Sequence, residues 1–223
     1  RSSDLALRRS QCRRRTGTPE TALPLVQAAL DLIADKGPAG FTFAEAARSA
    51  GVSPAAPYRH FRDRDELMAD IARRGFETFT DALRRAWDNG RPDPRAALVR
   101  TGRAYLDFAR NEPAAYAAMF EGGVPVHCDP ALSKAADAAF MVLREASEAV
   151  IAMLPAQKRP PSMMVALHIW SMSHGIASLF ARGDRARRPL PMSERYIGLM
   201  SGTSLDGVDG VVADFADGTL RVL

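Results

Sequence analysis

Tyr58, Arg59, His60, Arg62 and Arg64 crowd one short stretch of the chain, and each can donate hydrogen bonds. Donors of this kind suit the oxygens of a phosphate-bearing polymer, and a guanidinium fork matches a phosphate in two places at once. Asp63 sits among them as an N-cap for a following helix, whose free N–H groups would add a second anion-holding feature beside Arg62 and Arg64. Just upstream, Ala55 and Ala56 can offer only methyl contacts, for example to a thymine methyl group. Thr42 and Ser53 place hydroxyls at two expected helix starts. The chemistry implied is the holding of a polyanion.

These residues need a scaffold, and the segment FTFAEAARSAGVSPAAPYRHF from Phe41 to Phe61 describes one. Thr42 and Glu45 have capping-box spacing, which starts a short helix through Ala46 and Ala47. Gly51 ends it where positive φ is needed, and Val52 is expected to plug the turn into the core. Ser53 is expected to cap a second helix, with Pro54 in its first turn. Pro57 removes a backbone donor there and should distort the helix start. Phe61 is expected to turn inward. Two short helices around a glycine turn make a helix-turn-helix, whose second helix is the candidate reader of a DNA major groove. A first helix is expected from Pro19 to Lys36, with Leu23, Val26, Leu30 and Ile33 on one stripe.

GVSPAAPYRHFRDRDEL resembles the signature of the TetR/AcrR family of bacterial repressors, and the resemblance covers roughly Pro19 to Ala72. It implies a dimer that sets two reader helices on double-stranded operator DNA and is released by a small-molecule effector. Thr42, Tyr58, His60 and Arg64 would then hold phosphates, while Ala55 and Ala56 meet bases. It also implies no enzymatic activity.

The chain has 223 residues, a formal net charge of +4, 47% hydrophobic and 25% charged residues. These values fit a folded domain with a core of its own, and the basic balance agrees with a polyanion partner. Cys12 and Cys128 form no disulfide or metal pattern, so a reducing, cytoplasmic setting is expected. No apolar run reaches the roughly 20 residues that cross a bilayer, and no signal peptide is visible. Because the first residue is Arg, the chain is expected to begin inside a longer reading frame or after processing. Residues 1–18 carry six arginines against Asp4 and read as a basic disordered arm.

The expected architecture is all-α. A DNA-binding head spans 19–66, and a helical regulatory and dimerisation body spans 67–183. A long helix after Asp63 buries Leu67, Ile71, Phe79, Leu83 and Trp87. Further helices are expected over 95–111, 113–120, 131–154 and 162–181. The helix over 131–154 should bury Ala136, Phe140, Leu143, Val150 and Leu154. An apolar effector pocket would draw on Tyr105, Phe108, Tyr116, Met119, Phe120, Phe140, Met141, Met163, Trp170 and His174. Trp170, His174 and Gly175 form a W-x-x-x-H-G pattern that resembles the C-terminal domain of one branch of TetR-like regulators. Ser171, Gly175 and Ser178 make a stripe of small residues suited to close helix approach across a dimer. His127, Cys128 and Asp129 lack a partner set at ligand spacing, so neither a metal nor any cofactor is expected.

Residues 184–191 read as a linker. From 192 on the chain carries two basic and five acidic residues, opposite in sign to the whole. Short strands around a Gly, Ser, Thr and Asp turn suggest a small β-hairpin-like tail, foreign to the helical fold. YIGLMSGTSLDGVD resembles the N-terminal phosphate hairpin of anhydro-N-acetylmuramic acid kinases. The resemblance implies that Gly202, Thr203 and Ser204 face ATP phosphates, with Asp206 and Asp209 in the same motif. Residues 192–223 are expected to be a truncated kinase-like segment joined by a frameshift or at a gene boundary. It would stand where the family has a ninth helix, whose loss would weaken the dimer. A kinase fragment or fusion product with no intact activity is the alternative reading.

Overall fold

The computed structural model describes residues 19–181, 195–201, 208–214 and 221–222. The expected basic arm, the linker and residues 202–207 of the turn expected over 201–209 lie outside them, while Ser201 and Asp209 belong to strands rather than to that turn. The first three helices are α1 (Pro19–Lys36), α2 (Phe43–Ser49) and α3 (Arg64–Trp87). Four more follow: α4 (Pro94–Asn111), α5 (Pro113–Glu121), α6 (Pro130–Ala152) and α7 (Ser162–Ile176), the last running on as a π turn over Ala177–Ala181. After them come β1 (Arg195–Ser201), β2 (Val208–Asp214) and β3 (Arg221–Val222), antiparallel in that order with Ile197 opposite Val212.

Local caps fix most helix starts. Thr42 Oγ1 accepts from the Glu45 N–H at 3.2 Å, and Glu45 Oε2 accepts from the Thr42 N–H at 2.8 Å. The Thr42 backbone bond, then Lys36, holds the Glu45 carboxyl at a pKa of about 2. Asp63 caps α3 through the Glu66 N–H at 2.9 Å. Asp93-Pro94 and Asp129-Pro130 repeat one device: an acceptor on the cap, then a residue whose missing N–H costs nothing. The α3 end turns sharply through Asp88 and Asn89, at φ 44° and 51°, before Gly90 at 76°. Arg100 bridges this turn, donating to the carbonyls of Ala86 and Arg91.

Two hydrophobic cores share α3. The first joins Leu25, Val26, Ala29 and Ile33 of α1 to Phe41, Ala46 and Phe61, and closes on Leu67, Met68 and Ile71. Ala117 and Ala118 of α5 complete it. The second begins at Ala69 and runs along α3 through Phe79 to Trp87, faced by α4, α6 and the rest of α5. At about 1.5 Å per residue, the 24 residues of α3 reach roughly 36 Å through both.

Three packing expectations are corrected. Val52 is 38% exposed and does not plug the turn. Leu23 is exposed as well, because α1 turns Leu25, Val26 and Ala29 inward instead. On α6 Leu143 is buried as expected, but it shares the buried face with Leu132, Ala135, Ala139, Val142, Ala146, Ser147 and Ile151, while Ala136, Phe140, Val150 and Leu154 are half-buried. Ala135, Ala139 and Ala146 are small enough to let α6 pack closely, between the larger buried Leu132, Val142, Leu143 and Ile151.

Candidate nucleic-acid interface and effector cleft

After α2 the chain does not form the expected second α-helix. Pro57–Arg59 is a 3₁₀ turn. Its bonds run Ala56 N–H to Ser53 O at 2.9 Å, Arg59 N–H to Ala56 O at 3.1 Å and His60 N–H to Pro57 O at 2.9 Å. An α-helical turn would require the Pro57 N–H to reach Ser53 O, and proline has none. Ser53 accordingly caps nothing with its side chain: the turn's N-cap is Ala56, without a side-chain bond. The buried Pro57 ring pins the turn to the core, and Phe61 follows it inward at 7% exposure.

This turn presents an exposed edge. Tyr58 is 57% exposed, with its ring set edge-on against Phe43 at 5.0 Å. Ser53, Ala55, Arg59 and Arg62 are exposed, and Ala56 is half-buried. Thr42 is exposed too, though its hydroxyl also serves as the α2 cap. His60 is half-buried, and its Nδ1 has no hydrogen-bond partner among the described residues.

Arg64 departs from the phosphate-holding role expected of it. Its Nε donates to the Phe41 carbonyl at 3.2 Å, its Nη2 donates to the Pro38 carbonyl, and its guanidinium lies 4.9 Å from the Phe41 ring centre. The side chain staples the α1–α2 connection to the start of α3, which draws the guanidinium inward.

Between α3, α5, α6 and α7 lies a cleft of about 390 Å³. Phe76, Met119 and Phe120 form its inner wall, and Phe140 and Trp170 face them. The loop after α5, through Gly122, Gly123, Val124 and Val126, closes one side, with Ala136 and Asp137 at the edge. Of the residues expected in a pocket, Met119, Phe120, Phe140 and Trp170 line it. Phe108 is buried against Phe79 at 4.9 Å, and Met163 and Met141 are exposed outside it. The lining role of residues 122–126 was not foreseen, although paired glycines followed by alternating valines were a usable sign of it.

Tyr105, Tyr116 and His174 form a polar knot behind the cleft. His174 Nδ1 lies 3.2 Å from the Tyr105 hydroxyl and 2.8 Å from that of Tyr116, and Nε2 lies 3.5 Å from Ser178 Oγ. The His174 ring also meets Phe120, which lines the cleft, at 4.7 Å. Burial pushes the His174 pKa down, against a pull upward from Glu121. Burial also pushes the Tyr105 hydroxyl up, with Tyr116 adding to it, so the Tyr105 phenol stays neutral.

The Asp129 carboxylate is used by the Ala131 and Leu132 N–H groups, and no group of three metal-ligating residues is assembled among the described residues. No described helix is long and apolar enough to cross a membrane.

An amino-terminal head with an exposed basic edge, on a helical body with its own cleft, is the plan of a one-component regulator. The model of bacterial regulatory proteins of the tetR family matches residues 25–71. The tetracyclin repressor-like C-terminal domain matches residues 98–200. The chain belongs to the TetR family and is a DNA-binding transcription regulator rather than an enzyme. It is similar to a protein of unknown function from Rhodococcus sp. RHA1, 28% identical, covering 79% of this chain and 89% of that one at a TM-score of 0.63. The TetR family regulator PfmR from Thermus thermophilus shares the fold at 18% identity and a TM-score of 0.61, with 74% and 92% of the two chains covered. A short segment is instead 78% identical over 32 residues to the anhydro-N-acetylmuramic acid kinase of Albidiferax ferrireducens, covering 14% of this chain. The chain spans only 8% of that kinase's length.

Proposed function

We propose that the protein is a homodimeric repressor, acting on cytoplasmic DNA, whose cleft binds a small apolar effector that lowers its affinity for its operator. The observation that carries this reading is the double membership of α5. Ala117 and Ala118 are buried in the core of the DNA-binding head, while the next two residues, Met119 and Phe120, line the cleft. Val124 packs against both cores. A ligand that spreads the cleft therefore presses on the head through one short helix. It releases DNA to the extent that it prefers the displaced arrangement.

In this reading Tyr58, Arg59 and Arg62 hold phosphates, and Ser53, Ala55 and Ala56 approach the groove. Thr42 and His60 act at the rim, and Arg64 positions the others. A dimer is supported by the exposed apolar Met163, Leu167, Met172 and Leu179 on α7 and its π turn. It is further supported by the open space beside Gly175, where an added Cβ would meet nothing within 4 Å. The test is fluorescence anisotropy with operator fragments selected from random duplex DNA, with and without an effector candidate. Selection that enriches a palindrome with half-sites about one helical turn apart supports the reading. Enrichment of no sequence argues against it.

A further inference from the structure

The cleft's charge is as informative as its apolar area. Among the described residues, Asp137 at the edge is the single ionisable side chain in the lining, and it faces a site walled by Phe76, Phe120, Phe140 and Trp170. The Asp137 side chain is exposed and takes part in no ion pair or hydrogen bond among the described residues. Glu121, immediately before the lining loop, adds negative charge that is felt at His174. No described lysine or arginine lines the cleft. Lys134, one helical turn before Asp137, is exposed and forms no ion pair with it among the described residues.

An anionic ligand such as a carboxylate would lie beside Asp137 without a cation to pair with, and would lose its water. A neutral ligand would gain only burial. A cation gains the negative faces of several rings and a carboxylate at the mouth. The 390 Å³ volume lies in the usual range for a drug-sized molecule. Burial keeps His174 neutral near pH 7, so the knot behind Phe120 adds no opposing charge.

We propose that the effector is a lipophilic organic cation, a quaternary ammonium or a protonated hydrophobic amine, held by the aromatic walls with Asp137 as its counter-ion. This rests on the reading of the cleft as the effector site. The test uses three probes of equal chain length: octyltrimethylammonium, 1-octanol and octanoate. Each is titrated calorimetrically into the full chain, then added to the protein bound to its selected DNA. The expected result is binding by the cation about tenfold tighter than by the alcohol, with octanoate weakest. Asp137→Asn brings the cation down to the alcohol's level and leaves the alcohol unchanged, and Asp137→Lys turns the preference toward octanoate. Because Asp137 is exposed, these variants fold.

Octanoate binding as tightly as the cation, or a cation preference that survives Asp137→Asn, overturns the proposal. If octanol or octanoate releases DNA while the cation does not bind, the cleft stands as the effector site and the cation class alone is wrong. If the cation binds through Asp137 without changing DNA affinity, the class stands and the regulatory reading fails. If no probe binds, both fall.

Discussion

Replacing Arg64 by alanine separates two roles that the sequence could not tell apart. In the structure its guanidinium donates to the carbonyls of Phe41 and Pro38 and stacks on the Phe41 ring. Hydrogen bonds from a charged donor are worth about 1.5–3 kcal/mol each when buried, and a cation–π contact at a partly exposed site about 0.5–1 kcal/mol. The side chain is 27% exposed, so solvent screening trims these values. A loss of about 2–4 kcal/mol in head stability follows, large against the roughly 5–15 kcal/mol typical of a domain. Urea unfolding without DNA is the assay: at a slope of about 2 kcal/mol per molar, the midpoint falls by about 1–2 M. In DNA titrations across salt, Arg64→Ala leaves the slope of log affinity against log salt unchanged. Arg59→Ala and Arg62→Ala each reduce it by about 0.9 per protomer, because each removes a phosphate contact. A reduced salt slope with an unmoved unfolding midpoint would refute the reasoning and return Arg64 to the phosphate.

In Gly75→Ala the new methyl carbon would start 2.8 Å from Met119 Sδ and 2.9 Å from its Cγ, so Met119 must swing within the cleft it lines. The helix-propensity gain of about 1 kcal/mol is offset by about 1–3 kcal/mol of repacking. Calorimetry should therefore show altered ligand affinity with a change in stability under about 2 kcal/mol. His174 has a lowered folded pKa, so its contribution to stability is complete above its unfolded value of about 6.5 and is lost as pH falls below that. Melting curves at about pH 7.5 and about pH 5.5, on either side of that value, should show the drop in the native chain and a smaller one in His174→Gln.

What the sequence revealed was what is decided locally. The Thr42–Glu45 box and the Asp63, Asp93 and Asp129 caps each lie within a few residues of the N–H groups they serve, so spacing suffices to find them. The large residues of α3 gave a periodic signal that matched its buried face. The turn after Ser53 was less legible, because helix-turn-helix spacing invites an α-helix while one buried proline removes the bond it needs. Beyond Leu143, the inner face of α6 was missed in part because alanine carries little hydrophobic signal, although its smallness is what permits close packing. The structural role of Arg64 was not legible because its carbonyl partners lie 23 and 26 residues back in the chain. The cleft depended on four helices converging, so the sequence supplied its aromatic residues without showing which of them would meet.

In the proposed function, the edge built on Pro57–Arg59 grips duplex DNA by its phosphates. It is tested most directly by measuring the affinity of the intact chain for a DNA duplex between about 50 and about 300 mM potassium chloride, a range of about sixfold. Affinity should decline linearly on logarithmic axes, with a slope of several units for a dimer making several phosphate contacts. Affinity indifferent to salt, or no binding at the lowest salt, would contradict it.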